Sequence, residues 1–163
     1  MARVVTVYLG LGSNLGDRRA NLLRALCELE ERGAGVRRVS AFYRTEPLDA
    51  PPPWYLNAVA EAGVRWSPWQ LLHHCQEVER ALGRATKGGG DPRPVDLDVL
   101  LYGDTVMADA ELTIPHPRLP ARKFVLVPLA ELAADLRVPP SGRTVADLLA
   151  ACPDPSAPVR EEG

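Results

Sequence analysis

Two aspartates, Asp96 and Asp98, stand at the start of an apolar segment of the chain. The segment from Val95 to Tyr102 predicts a buried strand, where aspartate is unusual because its carboxylate is poorly solvated. Alternate side chains of a strand share a face, so these two carboxylates point the same way, about 6.6 Å apart. Carboxylates held side by side repel each other unless a cation lies between them. Two divalent ions about 3.5–4 Å apart fit this spacing, as in many sites that process phosphates.

Arg93 lies just ahead of the two aspartates, where its planar guanidinium could bind a phosphate. An Asp-x-Asp pair by itself is weak evidence for a metal site. The alternative is a pair of surface acids that form ion pairs with Arg93 or with a lysine. These residues leave both interpretations open, and the rest of the chain has to decide between them.

The hydrophobic periodicity of the chain predicts the elements that must position these residues. They come in the order strand, helix, strand, strand, helix, strand, which is the order of a ferredoxin-like fold. We therefore predict an α+β protein, a ferredoxin-like αβα sandwich with a mostly antiparallel sheet. The predicted elements are a strand over Val4–Leu11, a helix from its Asp17 cap to about Arg32, strands over Val36–Tyr43 and Tyr55–Val64, a helix opened by Ser67-Pro68 and reaching Leu82, the aspartate strand, a hairpin strand over Thr105–Ala108, a strand over Phe124–Leu129 and a short helix over Ala130–Ala134.

Three polar residues outside the strand are candidates for ligand contacts. Gln76 and Glu79 are three positions apart, so they share a face of the second helix that differs from its core face. That face is either turned towards a ligand or an ordinary solvated face. His116 lies between two prolines at the start of a loop, which makes it a candidate for a phosphate contact.

Length and composition limit the class of protein. With 163 residues, 46% of them hydrophobic, the chain can bury its own core, and we assign residues 1–152 to one domain and 153–163 to a flexible tail. A net charge of -2 argues against nucleic acid or a membrane surface as partner, and no apolar run reaches the length of a membrane span. The first residues predict a strand, not a signal peptide. Three widely spaced cysteines argue against a disulfide framework or structural zinc and favour a reducing cytoplasm.

Seven segments, taken in chain order, identify a family that the chain resembles. They are Leu9–Asp17, Ser40–Pro47, Tyr55–Val59, Glu79 with Gly83-Arg84, Pro92–Gly103, Ile114–Pro117 and Arg122–Leu129. They resemble the motifs of the 6-hydroxymethyl-7,8-dihydropterin pyrophosphokinase family. The resemblance implies transfer of pyrophosphate from ATP to the hydroxymethyl group of the dihydropterin, with release of AMP, in folate biosynthesis. It also implies small-molecule partners only, and we expect a cytoplasmic monomer that binds neither nucleic acid nor membrane.

The same resemblance implies roles for individual residues on the nucleotide side. Asp96 and Asp98 would hold two Mg²⁺ ions that bridge the triphosphate of ATP, the co-substrate. Arg84 and Arg93 would be catalytic cations that face the triphosphate. The other residues assigned to ATP are Gln76, Glu79, Lys87, Thr113, His116 and Arg122.

On the pterin side, the resemblance implies a flat slot. Tyr55 and Phe124 would stack on the two faces of the ring, and the amide of Asn57 would match its polar edge. Without the resemblance, two core aromatics would be the preferred interpretation of Tyr55 and Phe124. The remaining pterin contacts are assigned to the backbone of Thr45, Pro47 and Leu48 and to Asp96.

The loop Ala85–Asp91 departs from the family pattern. It lacks an aromatic residue, Lys87 is its one basic residue, and Asp91 stands where a glycine usually precedes Pro-Arg. We expect the three glycines Gly88–Gly90 to make the loop mobile and Lys87 to draw it towards the triphosphate.

Two other classes of function remain open at this point. A nucleotidyltransferase could use the same Asp-x-Asp strand, but it would transfer AMP and release pyrophosphate. A non-catalytic ferredoxin-like binding module would show no Mg²⁺-dependent binding of ATP.

Overall fold

The computed structural model describes residues 3–46, 54–83 and 94–161. Its helices are α1 (Arg18–Glu31), α2 (Pro68–Ala81), α3 (Lys123–Ala133) and α4 (Val145–Ala150). Its strands are β1 (Val5–Ser13), β2 (Gly35–Val39), β3 (Tyr43–Thr45), β4 (Tyr55–Val64), β5 (Asp96–Tyr102), β6 (Met107–Ala108), β7 (Thr113–Ile114), β8 (Arg137–Val138), β9 (Arg143–Thr144) and β10 (Val159–Arg160). No helix in these three ranges is long and apolar enough to span a membrane.

The principal sheet has the strand order β10-β3-β4-β1-β5, and β2 also pairs with β4. Its pairings in the described residues are all antiparallel. Since β1-α1-β2/β3 and β4-α2-β5 are the two crossover units, the order β3-β4-β1-β5 is that of a ferredoxin-like sheet. The predicted α+β, ferredoxin-like fold is therefore confirmed.

Alternate side chains of the sheet supply two separate hydrophobic cores. Leu9 and Leu11 of β1, with Leu97 and Val99 of β5, belong to the core that includes buried residues of α1 and α2. On the opposite face of the sheet, Tyr8 of β1 belongs to the core that includes buried residues of α3 and α4. The sheet is consequently the middle layer of an αβα sandwich.

The predicted helix starts are confirmed by their caps. Asp17 Oδ1 accepts a hydrogen bond from the backbone N–H of Ala20 at 3.1 Å, which fixes the start of α1. Ser67 and Gln70 form a reciprocal capping box ahead of α2, whose first residue is Pro68.

The predicted strand over Phe124–Leu129 is wrong, because these residues form most of α3. The run Phe-Val-Leu-Val favours a strand by propensity, and a short apolar run cannot be distinguished from a buried helix by its period. Leu126 and Leu129 are fully buried in the second core, so tertiary packing decides in favour of the helix. Pro128 lies inside this helix and cannot donate a backbone hydrogen bond to the carbonyl of Phe124.

The predicted strand over Val36–Tyr43 is interrupted at Ser40, and β2 and β3 both pair with β4. Ser40 is buried; its N–H donates to the carbonyl of Val59 at 2.9 Å, and its Oγ accepts from the N–H of Val59 at 2.9 Å. A side-chain hydroxyl thus replaces one backbone partner, and the strand can break without leaving a backbone group unsatisfied.

Residues 153–161, which belong to the predicted tail, include a short strand. Val159 pairs with Arg44 and Arg160 with Tyr43, which adds β10 to the edge of the sheet. Asp154 is buried. The prolines at 153, 155 and 158 favour an irregular segment, and a two-residue edge strand is too short to show a hydrophobic periodicity.

Candidate active site

The strand register brings several predicted site residues to one face of the sheet. Gly12 of β1 pairs with Asn57 of β4 on one side and with Asp96 of β5 on the other. Side chains at paired positions share a face of the sheet. Side chains two positions apart in one strand also share a face, so Tyr55 and Asp98 lie on this face as well. The two aspartates therefore share a face, as the alternation of β5 predicts, while Leu97 and Val99 between and after them are buried in the core.

Because Gly12 has no side chain, side chains of the neighbouring strand β4 can lie close to the backbone of β1. A Cβ at this position would lie 2.9 Å from Asn57 Oδ1 and 3.6 Å from Tyr55 Cδ1. The sequence assigns Gly12 only to the motif Leu9–Asp17 and does not reveal this contact. The contact depends on strand pairing, which the local sequence does not show.

Asn57 is held in one orientation. It is 6% exposed, and its Nδ2 donates to Thr45 Oγ1 at 2.5 Å. Because Thr45 holds the amide nitrogen, Asn57 Oδ1 is the atom that lies over Gly12. Thr45 also pairs with Tyr55, at the start of β4. The structure thus brings Asn57, Thr45 and Tyr55 together at one end of the face.

Tyr55 and Phe124 are both partly exposed, at the start of β4 and in the first turn of α3. Neither is among the buried residues that form the two cores of the described chain. The alternative interpretation of two core aromatics is therefore not supported. The Arg122 guanidinium lies over the Phe124 ring, 5.3 Å from its centroid, close enough for a cation–π contact.

Arg122 is a half-buried positive charge that lies near the aspartates. Burial lowers its pKa, and the neighbouring charge of Arg118 lowers it further, while Asp98, Asp96 and Asp154 act in the opposite direction. An arginine stays protonated under these influences. Arg122 therefore keeps its charge near both predicted metal ligands.

His116 is fixed next to β5. Its backbone N–H donates to the carbonyl of Leu100 at 3.0 Å, and its Nδ1 accepts from the N–H of Arg118 at 3.2 Å. Because Nδ1 accepts, the proton of the neutral ring is on Nε2, which can donate to an anion.

Glu79 is 3% exposed and reaches the outer edge of the sheet from α2. Its Oε2 accepts from the backbone N–H of Leu97 at 2.8 Å, between the two aspartates. The alternative of an ordinary solvated face is therefore wrong for Glu79. Sequence reasoning missed this contact with the strand, since nothing local links α2 to the edge of β5.

The other predicted site residues are placed as follows. Gln76 lies one turn before Glu79 on α2 and is partly exposed. Thr113, in the short β6–β7 hairpin, donates its hydroxyl to the carbonyl of Asp109 at 3.3 Å. The predictions for Pro47, Leu48, Arg84, Lys87, Arg93 and the loop Ala85–Asp91 lie outside the described residues.

The carboxylates of Asp96 and Asp98 are oxygen ligands of the kind that Mg²⁺ prefers. Within residues 3–46, 54–83 and 94–161, no group of three or more His, Cys, Asp or Glu side chains could hold a metal ion. Two carboxylates nevertheless suit Mg²⁺, which usually takes its remaining ligands from water and substrate phosphates. The donor set thus fits a metal that is bound together with a nucleotide.

Solved structures of HPPK-DHPS from Plasmodium falciparum share this fold. The wild-type protein with pteroate aligns with a TM-score of 0.76 at 12% sequence identity, over 93% of this chain and 45% of that chain. The structure of its A437G variant with SDX-DHP gives a TM-score of 0.74 at 12% identity, over 93% and 46%. This chain spans less than half of those solved chains, and at such identities the similarity shows the fold alone.

Sequence comparison identifies the family. The profile described as 7,8-dihydro-6-hydroxymethylpterin-pyrophosphokinase (HPPK) matches residues 8–134. A 2-amino-4-hydroxy-6-hydroxymethyldihydropteridine pyrophosphokinase from Methylorubrum extorquens is 44% identical over 158 residues, 95% of this chain and 98% of the relative. The protein of the same name from Synechocystis sp. is 42% identical over 141 residues, 86% of this chain and 72% of the relative. The chain therefore belongs to the 7,8-dihydro-6-hydroxymethylpterin pyrophosphokinase family.

Proposed function

We propose how the residues of this site carry out the reaction of the family. The enzyme transfers pyrophosphate from ATP to the hydroxymethyl group of 6-hydroxymethyl-7,8-dihydropterin in folate biosynthesis and releases AMP. The observation that carries the proposal is the row Asn57, Gly12 and Asp96 across three strands. Asn57, proposed for the pterin edge, and Asp96, proposed for the metal ions, lie on one face of the sheet with Gly12 between them, which supports the proposal.

Asp96 and Asp98 are the proposed ligands of two Mg²⁺ ions. Bound there, the ions would neutralise the triphosphate and favour attack by the substrate hydroxyl on the β-phosphorus. The chain's contribution is to hold both carboxylates on one face, which the alternation of β5 does, and to keep Leu97 fixed through Glu79. Members of this family use ATP, generally with Mg²⁺; the count of two ions is part of the proposal.

The second proposed role in the reaction belongs to the positively charged and hydrogen-bond-donating side chains near the aspartates. Phosphoryl-type transfer needs positioning and charge stabilisation more than covalent catalysis, so a nucleophilic side chain is not required. Arg122 is proposed to stabilise negative charge on the triphosphate, and His116 to donate from Nε2. Arg84 and Arg93, predicted from the sequence, are proposed as the further catalytic cations, and Lys87 is proposed as another cation that binds the triphosphate. Gln76, Glu79 and Thr113 stay proposed contacts of the nucleotide.

The pterin is proposed to lie between Tyr55 and Phe124. Aromatic stacking on a base-like ring contributes about 1–3 kcal/mol per side chain. Asn57 is proposed to bind the amide and amino edge, because its orientation is already fixed by Thr45. The backbone of Thr45, Pro47 and Leu48 and the carboxylate of Asp96 complete the proposed contacts.

The proposal includes the setting in which the enzyme works. Cys27, Cys75 and Cys152 form no disulfide bond within the described residues. Cysteines outside disulfides are typical of a reducing compartment, so we place the enzyme in the cytoplasm. We also propose a monomer that binds ATP and the dihydropterin and no nucleic acid; size-exclusion chromatography with light scattering tests this state.

The test of the reaction is incubation with ATP, Mg²⁺ and the dihydropterin. The expected products are AMP and a pterin that carries a pyrophosphate group, and chelation of Mg²⁺ should abolish both. Release of free pyrophosphate with AMP attached to the pterin would indicate a nucleotidyltransferase and contradict the proposal. ATP that stays intact would indicate a binding module.

A further inference from the structure

The C-terminal segment connects two elements that carry proposed pterin contacts. Residues 153–161, here called the C-terminal strap, run from the start of α3 to the edge of the sheet. At one end, Asp154 Oδ2 accepts from the backbone N–H of Lys123, the first residue of α3, at 3.0 Å. At the other end, β10 pairs with β3, and the N–H of Glu161 donates to the carbonyl of Phe42 at 2.7 Å. The strap thus spans the elements that present Phe124 and Thr45.

Both carboxylate oxygens of Asp154 accept a hydrogen bond from a backbone N–H. While Oδ2 accepts from Lys123, Oδ1 accepts from the N–H of Ser156 at 2.8 Å, and the residue is 6% exposed. Burial raises the pKa of Asp154, but the hydrogen bonds from the backbone of Ser156 and Lys123 outweigh it, and the pKa is lowered. The carboxylate is therefore charged at neutral pH, which is favourable at a helix N-terminus.

The helix start that Asp154 holds has no local cap. Within the described residues, the N-cap position is Arg122, whose side chain makes no capping hydrogen bond. The first N–H groups of a helix need partners from outside it, and a carboxylate 31 positions away supplies one here. Arg122 and Phe124 lie on either side of Lys123, so the held residue is between two proposed site residues.

The rest of α3 is fastened separately. Glu131 Oε2 accepts from the N–H of Ala41 at 2.8 Å, and Oε1 accepts from the Tyr43 hydroxyl at 2.6 Å. Loss of Asp154 should consequently release the first turn of α3 while the body of the helix stays on the sheet. A local effect on Phe124 and Arg122 can therefore be separated from loss of the fold.

We propose that Asp154 is a positioning residue of the active site, which holds the first turn of α3 so that Phe124 stacks on the pterin and Arg122 faces Asp96 and Asp98. This inference rests on the proposed function, because the roles of Phe124 and Arg122 belong to it. The C-terminal strap then serves catalysis, although none of the proposed substrate contacts belongs to it.

The experiment compares Asp154→Ala with Asp147→Ala. Asp147 Oδ2 also accepts a hydrogen bond at a helix N-terminus, from the N–H of Thr144, and its own N–H donates to Thr144 Oγ1 in the capping box that begins α4, but α4 carries none of the proposed site residues. We expect Asp154→Ala to raise the KM for the dihydropterin about tenfold, within the range of coupling between neighbouring residues. The KM for the dihydropterin should be unchanged in Asp147→Ala, although both variants melt at a lower temperature. Asp154→Asn, which keeps one acceptor oxygen for Lys123 but loses the acceptor for Ser156, should raise this KM by a smaller factor, about threefold.

A double-mutant cycle with Phe124→Ala shows whether Asp154 acts through Phe124. If it does, adding Asp154→Ala to Phe124→Ala should raise the KM for the dihydropterin less than about twofold further. Independent effects that multiply would overturn the inference, and so would equal KM values for Asp154→Ala and Asp147→Ala. Should Asp154→Ala not fold, Asp154→Asn decides, because a KM equal to that of the wild type at a lower melting temperature would also overturn it.

Failure of the proposed function gives a different result. In that case Phe124→Ala alone leaves the KM for the dihydropterin unchanged, and the inference falls together with the pterin slot. If Phe124→Ala raises this KM while Asp154→Ala behaves like Asp147→Ala, only the inference is overturned and the slot stands.

Discussion

At Asp96 and Asp98, a single stretch of backbone serves both the core and the site. Leu97 and Val99 are buried, while the aspartates face the row that includes Asn57. The two carboxylates repel each other, the nearby charge of Arg122 opposes that repulsion, and a bound metal would relieve it further. Residues of this kind support activity without supporting stability.

Replacement of either aspartate by alanine should slow AMP formation by at least about 10³-fold, or about 4 kcal/mol in activation free energy. The melting temperature should be equal to or above that of the wild type, because one of two repelling charges is gone. Asp104→Ala, at an exposed turn after the same strand, is the matched control and should retain full activity. A near-normal rate for Asp96→Ala or Asp98→Ala at saturating Mg²⁺ would contradict the metal assignment.

Gly12 permits a second prediction at the scale of one residue. In Gly12→Ala, the new methyl group would lie 2.9 Å from Asn57 Oδ1, so the amide or the strand must shift. Overpacking of this kind costs about 1–3 kcal/mol, and we expect the affinity for the dihydropterin to fall by a comparable amount while the affinity for ATP changes less. Calorimetric titration with each ligand measures both.

Gly35→Ala is the control for that substitution. Gly35 also lies in a strand, but its Cβ would be 3.5 Å from the carbonyl oxygen of Gly63, an ordinary contact remote from the site. Equal losses of dihydropterin affinity in the two variants would show that Gly12 has no special relation to the slot.

At the scale of elements, the site depends on contacts that reach the sheet from both of its sides. On one side, α2 sends Glu79 to the backbone of Leu97. On the other side, α3 carries Arg122 and Phe124 at its start and Glu131 further along, where it binds β3. The helices that cover the two cores thus also set the positions of the groups that form the site.

Glu79→Leu should both destabilise the enzyme and weaken its use of Mg²⁺. The Leu97 N–H would lose its acceptor, which costs about 1–3 kcal/mol for a buried donor, and the segment between the aspartates would be less fixed. Glu79→Gln retains a side-chain acceptor oxygen and should be milder. Thermal melts and the Mg²⁺ concentration for half-maximal rate are the measurements.

Glu77→Leu is the control on the same helix, since Glu77 is partly exposed and pairs with Arg80 at 2.6 Å. A surface substitution of this kind changes stability by less than about 0.5 kcal/mol. If Glu79→Leu behaves like Glu77→Leu in both measurements, the contact with Leu97 does not support the site.

At the scale of the whole molecule, two tyrosines link the sheet to stability at high pH. Burial, followed by the hydrogen bond to Glu61 at 2.8 Å, raises the pKa of Tyr8 to about 12. Burial and the hydrogen bond to Glu131 likewise raise the pKa of Tyr43 to about 12. Both values are above the ordinary 10.0, so the folded state favours the protonated rings.

We expect the free energy of unfolding to decrease as the pH rises from 10 to about 12. Below pH 10 the contribution of the two hydroxyls is fully present, and it is lost as the pH passes their folded-state pKa values. Urea denaturation at a series of pH values measures the slope, which should be reduced in Tyr8→Phe and Tyr43→Phe. Slopes equal to the wild type in both variants would contradict the assignment.

The sequence predicted the parts of the fold that local pattern controls. The order of the principal strands, the caps Asp17 and Ser67 and the shared face of the two aspartates all follow from short-range spacing. It failed for residues 124–129, where packing against a second core overrides strand propensity. Partners distant in the chain, such as Asp154 with Lys123 and Glu79 with Leu97, leave no local signal. The motifs of the family supplied the candidate site residues, while their geometry came from the sheet register.

The alternation along β5 has a consequence for how this family can change over evolutionary time. Even-numbered positions 96 and 98 face the site and odd-numbered positions 97 and 99 face the core. Substitutions can therefore alter chemistry and packing independently, one position at a time. Insertion or deletion of a single residue at the start of the strand would exchange the two sets and place carboxylates in the core. The length of the chain between Pro94 and Val99 should accordingly be fixed among active relatives, even where the residues themselves differ.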